Sequence, residues 1–234
     1  MRPVLPAETS TRDGLAYTLW LPDEVRGGLV ILHGADSCKE SHHDFARKAL
    51  PLGLASVSFD QRGHGASPGP LDAHAVEDVA SMASLLREAT GDHTLPIALR
   101  GSSMGGYLAL VAAAPAGAGA VVAICPASGD GLARGLRSGR FEFDADVDAF
   151  GSLLDAHDLT DVTPQLTMPV LLMHAEGDER VPIEHSRRLA AMIRSPGSRL
   201  IAVPGGHHRS VQHDEELQAV SVLFIQRALG ARRR

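Results

Sequence analysis

Apolar residues along this 234-residue chain gather in short runs, 28–32, 95–99, 120–124, 169–173 and 200–203, with a further strand over 54–59, and the run 28–32 is continuous rather than alternating. A strand covered by helices on both faces reads this way. Between the runs the period changes. Val76, Val79, Ala80, Ala83 and Leu86 recur at helical spacing, and residues 108–114, apolar on every side, predict a buried helix. Further helices are expected over 41–50, over 183–194 with Pro182 at its entry, and over 213–229 with Leu217, Val220, Phe224 and Ala228 along one face. Upstream, 4–9 and 15–21 flank Thr11-Arg12-Asp13-Gly14 and predict an antiparallel hairpin. Strands alternating with helices define the class: α/β, with a mostly parallel central sheet flanked by helices on both faces.

The rhythm breaks once, over 126–164, where Gly, Asp and Arg are frequent and Leu132, Leu136, Phe141, Phe143, Phe150, Leu153 and Leu154 are scattered. Three of the six phenylalanines of the chain fall here, which favours a small helical cap over an irregular surface crossover. No internal repeat or low-complexity linker divides the chain, so residues 1–234 are expected to form a single domain, a length that buries a sizeable core.

Composition narrows the classes. Hydrophobic residues make up 44% and charged residues 21%, which excludes a disordered or fibrous chain. A net charge of -6 argues against a general nucleic-acid partner, and Arg232 to Arg234 read as a solvated basic tail. Residues 1–10 hold no apolar run of signal-peptide length, and no run approaches the 18 residues of a membrane span. Two cysteines, Cys38 and Cys125, make no disulfide framework and show no metal spacing. The expectation is a reduced, cytoplasmic setting with no membrane partner, no cofactor and no metal.

One stretch carries candidate chemistry. Gly101-Ser102-Ser103-Met104-Gly105 follows the run 95–99 and leads into the buried helix, matching G-x-S-x-G on a strand–turn–helix. Gly and Ser also dominate ordinary turns, so Ser103 gains weight as a nucleophile only if a base and an acid follow. Asp178 lies beyond the run 169–173, and His207 and His208 beyond 200–203, both where open parallel sheets place their sites. The order Ser103, Asp178, His208 is that of a nucleophile-elbow enzyme.

These residues resemble the α/β-hydrolase-fold serine hydrolases over nearly the whole chain. The likeness rests on Leu32-His33-Gly34-Ala35, on Phe59 through Ser67, on the elbow, on the Asp178 turn ending in Val181-Pro182, and on the histidine loop. It implies Ser103 as nucleophile, Asp178 as acid, His208 as base with His207 as the alternative, and backbone N–H groups of Ala35 and Met104 as the oxyanion hole. In the same resemblance Asp178 is preferred to Glu176, Glu179 is a solvated neighbour, and His33 holds the oxyanion loop without moving a proton. His64 reads as structural. The pairs His42-His43 and His207-His208 lack a carboxylate or cysteine at ligand spacing. Arg100 is odd at the end of a buried strand; an ion pair with Asp60 or Asp36 and a contact to a polar substrate are both open.

The leading expectation is a carboxylesterase-like hydrolase acting on small to medium small-molecule esters, since 126–164 is short for a lipase lid. The same residues serve thioesterases, perhydrolases, acyltransferases and small peptidases. A binding protein that keeps the fold without turnover is the alternative from another class. A homodimer through an edge strand or the last helix is compatible with the sequence, which does not demand one.

Overall fold

The computed structural model describes residues 4–230, and the basic tail at Arg232 to Arg234 lies outside them. Eight strands form one open sheet: β1 (Glu8–Arg12), β2 (Leu15–Trp20), β3 (Gly27–Leu32), β4 (Leu54–Phe59), β5 (Ile97–Ser102), β6 (Ala118–Ile124), β7 (Val170–Ala175) and β8 (Arg199–Val203). Their order across the sheet is β1-β2-β4-β3-β5-β6-β7-β8, with β1 and β2 antiparallel to their neighbours and the rest parallel.

Nine helices flank it among the described residues: α1 (His43–Ala49), α2 (Ala75–Thr90), α3 (Met104–Val111), α4 (Gly129–Arg137), α5 (Val147–Ala156), α6 (Leu159–Val162), α7 (Ile183–Met192), α8 (Ser210–His213) and α9 (Glu215–Gly230). Alternate strand residues feed two separate cores. Val30, Leu32, Leu99, Val121 and Ala123 pack with α2, α3 and the β6–β7 crossover, whereas Leu29, Ile31, Ala98, Val122 and Ile124 pack with α1 and α9. The unbroken apolar runs are thus each shared between two layers.

Two of the differences from the expected boundaries have a local cause. The first strand is Glu8–Arg12 rather than 4–9, because Arg12 pairs with Leu15 and the turn is only Asp13-Gly14, both at positive φ (52° and 83°). Positive φ at both central residues gives the kind of two-residue turn whose twist matches that of the strands. The last helix, expected over 213–229, is Glu215–Gly230, preceded by the separate short helix Ser210–His213, because Asp214, extended at φ -66° and ψ 125°, accepts the Leu217 N–H at 2.9 Å and opens α9 afresh.

The β6–β7 crossover, 126–164, is mostly helical. Leu132, Phe150, Leu153 and Leu154 are buried in the α2–α3 core, with Leu136, Phe141 and Phe143 packed against it. Several contacts tie the segment to the rest of the chain, among them a hydrogen bond from the Tyr107 hydroxyl to the His157 carbonyl at 2.9 Å. The Asp36 carboxylate accepts the Glu142 N–H at 2.7 Å, the Phe143 ring stacks on His64 at 4.1 Å, and Ala145 bridges Leu71.

The chain leaves β3 toward β4 on one side and returns to β5 on the other, so strand order reverses at β3. A crevice opens at the carboxyl ends of the strands flanking such a reversal. The loop after β3 carries Ala35, and the turn after β5 carries Ser103.

Candidate active site

Ser103 stands between β5 and α3 with φ 54° and ψ -117°, a left-handed conformation that costs a non-glycine residue about 1–3 kcal/mol. Its neighbours hold it there. The Ser103 N–H donates to the Ile124 carbonyl at 2.9 Å, and its carbonyl accepts the Tyr107 and Ala127 N–H groups, each at 3.0 Å. The turn is also sterically exclusive. A Cβ on Gly101 would overlap the Gly105 carbonyl oxygen, and one on Gly105 would overlap that of His33, so glycine alone fits at both positions of the pattern.

Asp178 follows β7 and its side chain is fully buried. Burial pushes its carboxyl pKa upward, but hydrogen bonds from His174, His208 and the Val181 and Arg180 N–H groups outweigh that and hold it well below the usual carboxylate range. Both backbone donors reach Oδ1 at 2.9 Å. His208 Nδ1 lies 2.8 Å from Oδ2 and 3.0 Å from Oδ1, which leaves Nε2 as its other nitrogen.

His207 makes no such contact; it is exposed, with its N–H on Ser210 Oγ at 3.0 Å. Glu176 pairs with Arg187 at 2.8 Å instead. Glu179, expected to be solvated only, also accepts the His208 N–H on Oε2 at 3.1 Å and so steadies the loop.

Ser103, His208 and Ala35 line one cavity of about 970 Å³, roofed by Leu132, Arg134, Phe141 and other residues of the crossover. Met104 is buried at the first turn of α3. Among the described residues no hydrogen bond joins the Ser103 hydroxyl to His208; the structure brings the two to one cavity.

The loop holding Ala35 is fixed from behind. His33 is fully buried, and burial foremost, with His64 beside it, pushes its pKa down to about 4, so the ring is neutral. Nδ1–H donates to the Gly34 carbonyl at 2.8 Å, which leaves Nε2 to accept the Gln61 N–H at 3.0 Å. The Gln61 side chain returns a bond to the His33 carbonyl at 2.7 Å.

Three residues mattered more than sequence reasoning showed. His174, fully buried, reaches the Val181 carbonyl at 2.8 Å and Asp178 Oδ2 at 3.3 Å from Nε2, while Nδ1 accepts from Ser186 Oγ at 2.7 Å. Its signal was a histidine at the strand end four residues before the acid. Cys125, at φ 43° after β6, puts its sulfur within 4.8 Å of ligand atoms of Asp178 and His208. Burial pushes that thiol pKa far up, and Asp178 and His208 are committed to each other, so the three form a packed group rather than an open ligand set.

Arg100 is the third, and it corrects an expectation. Asp60 is taken by Lys39, whose Nζ lies 2.7 Å from Oδ2, and Asp36 by Glu142, so neither pairs with Arg100. The guanidinium instead stacks 3.8 Å over the Phe45 ring, in the layer between the sheet and α1 and α9.

The chain is similar to known proteins in sequence and in fold. A family model described as Hydrolase_4, serine aminopeptidase S33, matches residues 23–137. A monoacylglycerol lipase of Mycolicibacterium smegmatis is 28% identical over 251 residues, spanning 86% of this chain and 88% of that protein. Among solved structures, a monoacylglycerol lipase of Paleococcus ferrophilus superposes with a TM-score of 0.72 at 20% identity, over 92% of this chain and 99% of its own. A soluble variant of the Saccharomyces cerevisiae monoglyceride lipase reaches 0.77 at 16% identity, over 98% and 96%. The sheet and its crossovers are therefore those of the α/β-hydrolase fold. This chain is an α/β-hydrolase-fold hydrolase. Among the described residues no helix is long and apolar enough to cross a membrane.

Proposed function

We propose that the chain hydrolyses carboxylic esters of small to medium acyl groups through an acyl-enzyme on Ser103. The observation that carries this reading is the buried Asp178 carboxylate on His208 Nδ1, beside a strained serine on the same cavity. A serine hydroxyl is a weak nucleophile until a base takes its proton, and the base needs a carboxylate to fix its tautomer and stabilise its cation.

The Ser103 hydroxyl turns onto His208 Nε2 as substrate fills the cavity, a contact that free enzymes often leave unmade. Nε2 takes the proton while Oγ bonds to the ester carbonyl carbon, whose oxygen becomes an oxyanion. Backbone N–H groups of Ala35 and Met104 hold that charge, each worth about 3 to 4 kcal/mol in the transition state. Collapse expels the alcohol, protonated by His208. Water then gives a proton to Nε2 and attacks the acyl-enzyme, releasing the acid and restoring Ser103. Asp178 stays ionised throughout.

Substrate size follows from the roof. The segment 126–164 acts as a small cap, and its residues at the cavity include Arg134, Ser138, Arg140 and Glu142 beside Leu132 and Phe141. Such a mixed lining suits a soluble ester better than a long alkyl chain. The named relatives act, by their names, on monoacylglycerols, which are esters. Peptide cleavage is the second reading, favoured by the family model's description as an aminopeptidase.

A series of nitrophenyl esters from acetate through butyrate and octanoate to palmitate tests the proposal, with an aminoacyl nitroanilide beside it. The expected result is a kcat/KM maximum at the short to middle members and little anilide cleavage. A maximum at palmitate with activation at a lipid interface contradicts the size argument, and anilide cleavage above every ester contradicts the bond assignment.

A further inference from the structure

Arg100 has a place in the fold that packing does not require. It sits at the centre of β5, opposite Ile31 and Val122, three residues before Ser103, and is fully buried. A buried cation is expensive unless paired. Yet among the described residues Arg100 makes no ion pair, and its Nε is buried without a partner. Asp44, the carboxylate whose field it feels, is already held by Gln218 Nε2 at 2.9 Å and by the Phe45 N–H at 2.8 Å. His42, kept neutral by burial and by Arg100 itself, offers Nδ1 at 3.5 Å from Nη1.

The direct bond is elsewhere. Arg100 Nη2 donates to the Gln212 carbonyl at 3.1 Å. Gln212 lies in the short helix α8, four residues after His208, and it lines the cavity. The same carbonyl accepts Gln218 Nε2 from α9 at 3.0 Å, so two buried donors converge on one oxygen. The rest of the histidine loop is held by His208 on Asp178, by the Gly177 N–H on the Gly205 carbonyl at 2.8 Å, by buried Val211 of α8, by exposed Glu179 and by Ser210, and of these only Val211 joins α8 to the core beneath it.

We propose that Arg100 is a positioning residue for the base. By pinning the Gln212 carbonyl it fixes α8, and with it the His208 loop, against the strand that ends in Ser103. This rests on the ester hydrolase reading above. A core arginine serving the fold alone would be replaced by a well-packed apolar residue with no loss; one that registers the base against the nucleophile would not.

The test uses Arg100→Met, which fills similar space without charge, and Arg100→Lys, which keeps a donor. Melting temperature, kcat and KM on nitrophenyl butyrate, and the pH dependence of kcat/KM are measured on each. Arg100→Met is expected to melt no lower than the wild type while kcat falls about ten- to hundredfold, as for other small misplacements of reacting groups. KM should change less than about threefold, and the acid limb of the pH profile should move, since the Asp178–His208 contact changes with the loop. Arg100→Lys should recover most of kcat and return the limb toward the wild-type position.

A folded Arg100→Met with wild-type kcat and an unmoved limb overturns the proposal. If that variant does not fold, Arg100→Lys together with Gln218→Met, which removes the second donor to the same carbonyl, decides it. Gln218→Met must then lose kcat with a displaced limb while Arg100→Lys, which keeps a donor, retains most of kcat, and wild-type behaviour in Gln218→Met overturns it. A wild type that cleaves no ester overturns the function reading and this inference with it, whereas an active wild type with an indifferent Arg100 overturns the inference alone.

Discussion

Asp178 takes hydrogen bonds from His208, His174 and two backbone N–H groups, and so remains charged at the bottom of the site. An amide of the same shape presents an N–H₂ where His208 Nδ1–H now points, so Asp178→Asn favours the wrong imidazole tautomer. The expected fall in kcat is about 10³- to 10⁴-fold with KM little changed, by steady-state kinetics on nitrophenyl butyrate. Glu176→Gln, which touches only the Arg187 pair on the surface, should leave kcat within about twofold. The choice of Asp178 over Glu176 rested on the resemblance, through its place ahead of Val181-Pro182, and the structure sets Asp178 against His208 and Glu176 against Arg187. That of His208 over His207 was not settled by spacing, because adjacent residues differ by which way the loop turns, and only the geometry shows one facing the carboxylate. Arg100 escaped for a related reason: its partner is a backbone carbonyl, which leaves no mark on the sequence.

At the scale of elements, the loop after β3 and the loop after β4 are joined through His33 and Gln61. That joint makes stability depend on pH. The His33 imidazole of the unfolded chain takes a proton as pH falls through about 6.5, whereas the buried ring does so only near pH 4. Between these values the unfolded state binds more protons, so the stability present above about pH 6.5 is lost as pH falls toward 4, by about 3 kcal/mol from His33. Buried His42, also held well below its ordinary value, acts in the same direction. Asp178 contributes no loss here, because its unfolded carboxyl titrates only at the lower edge of the window. Urea midpoints should therefore drop between pH 7 and 4.5, and the drop should be smaller in His33→Gln; equal drops in both proteins contradict the assignment. Strands and long helices of this fold were readable because burial on two faces or one stripe writes itself into hydropathy. The turn drawn over Thr11 to Gly14 is only Asp13-Gly14, and the short helix Ser210–His213 ahead of Asp214 went unseen, since single caps and turns override the period.

The whole molecule places its chemistry where strand order reverses. Helix α1 packs on one face of the sheet and α2 on the other, as the handedness of parallel crossovers requires when β4 and β5 flank β3. That brings Ala35 and Ser103 to one crevice, and the crossover 126–164 closes over it through Asp36, His64 and Leu71. The sheet order and these three ties join residues far apart in the chain, so hydropathy alone could not reveal them. The alternation of elements and the order Ser103, Asp178, His208 were legible, because each candidate falls just past the end of an apolar run. The central claim is that Ser103 is a nucleophile activated by this arrangement, and covalent capture by a fluorophosphonate probe tests it most directly. Wild-type protein should be labelled stoichiometrically, with the adduct on the peptide containing Ser103, and Ser103→Ala should remain unlabelled. An unlabelled folded wild type, or equal labelling of Ser103→Ala, would contradict it.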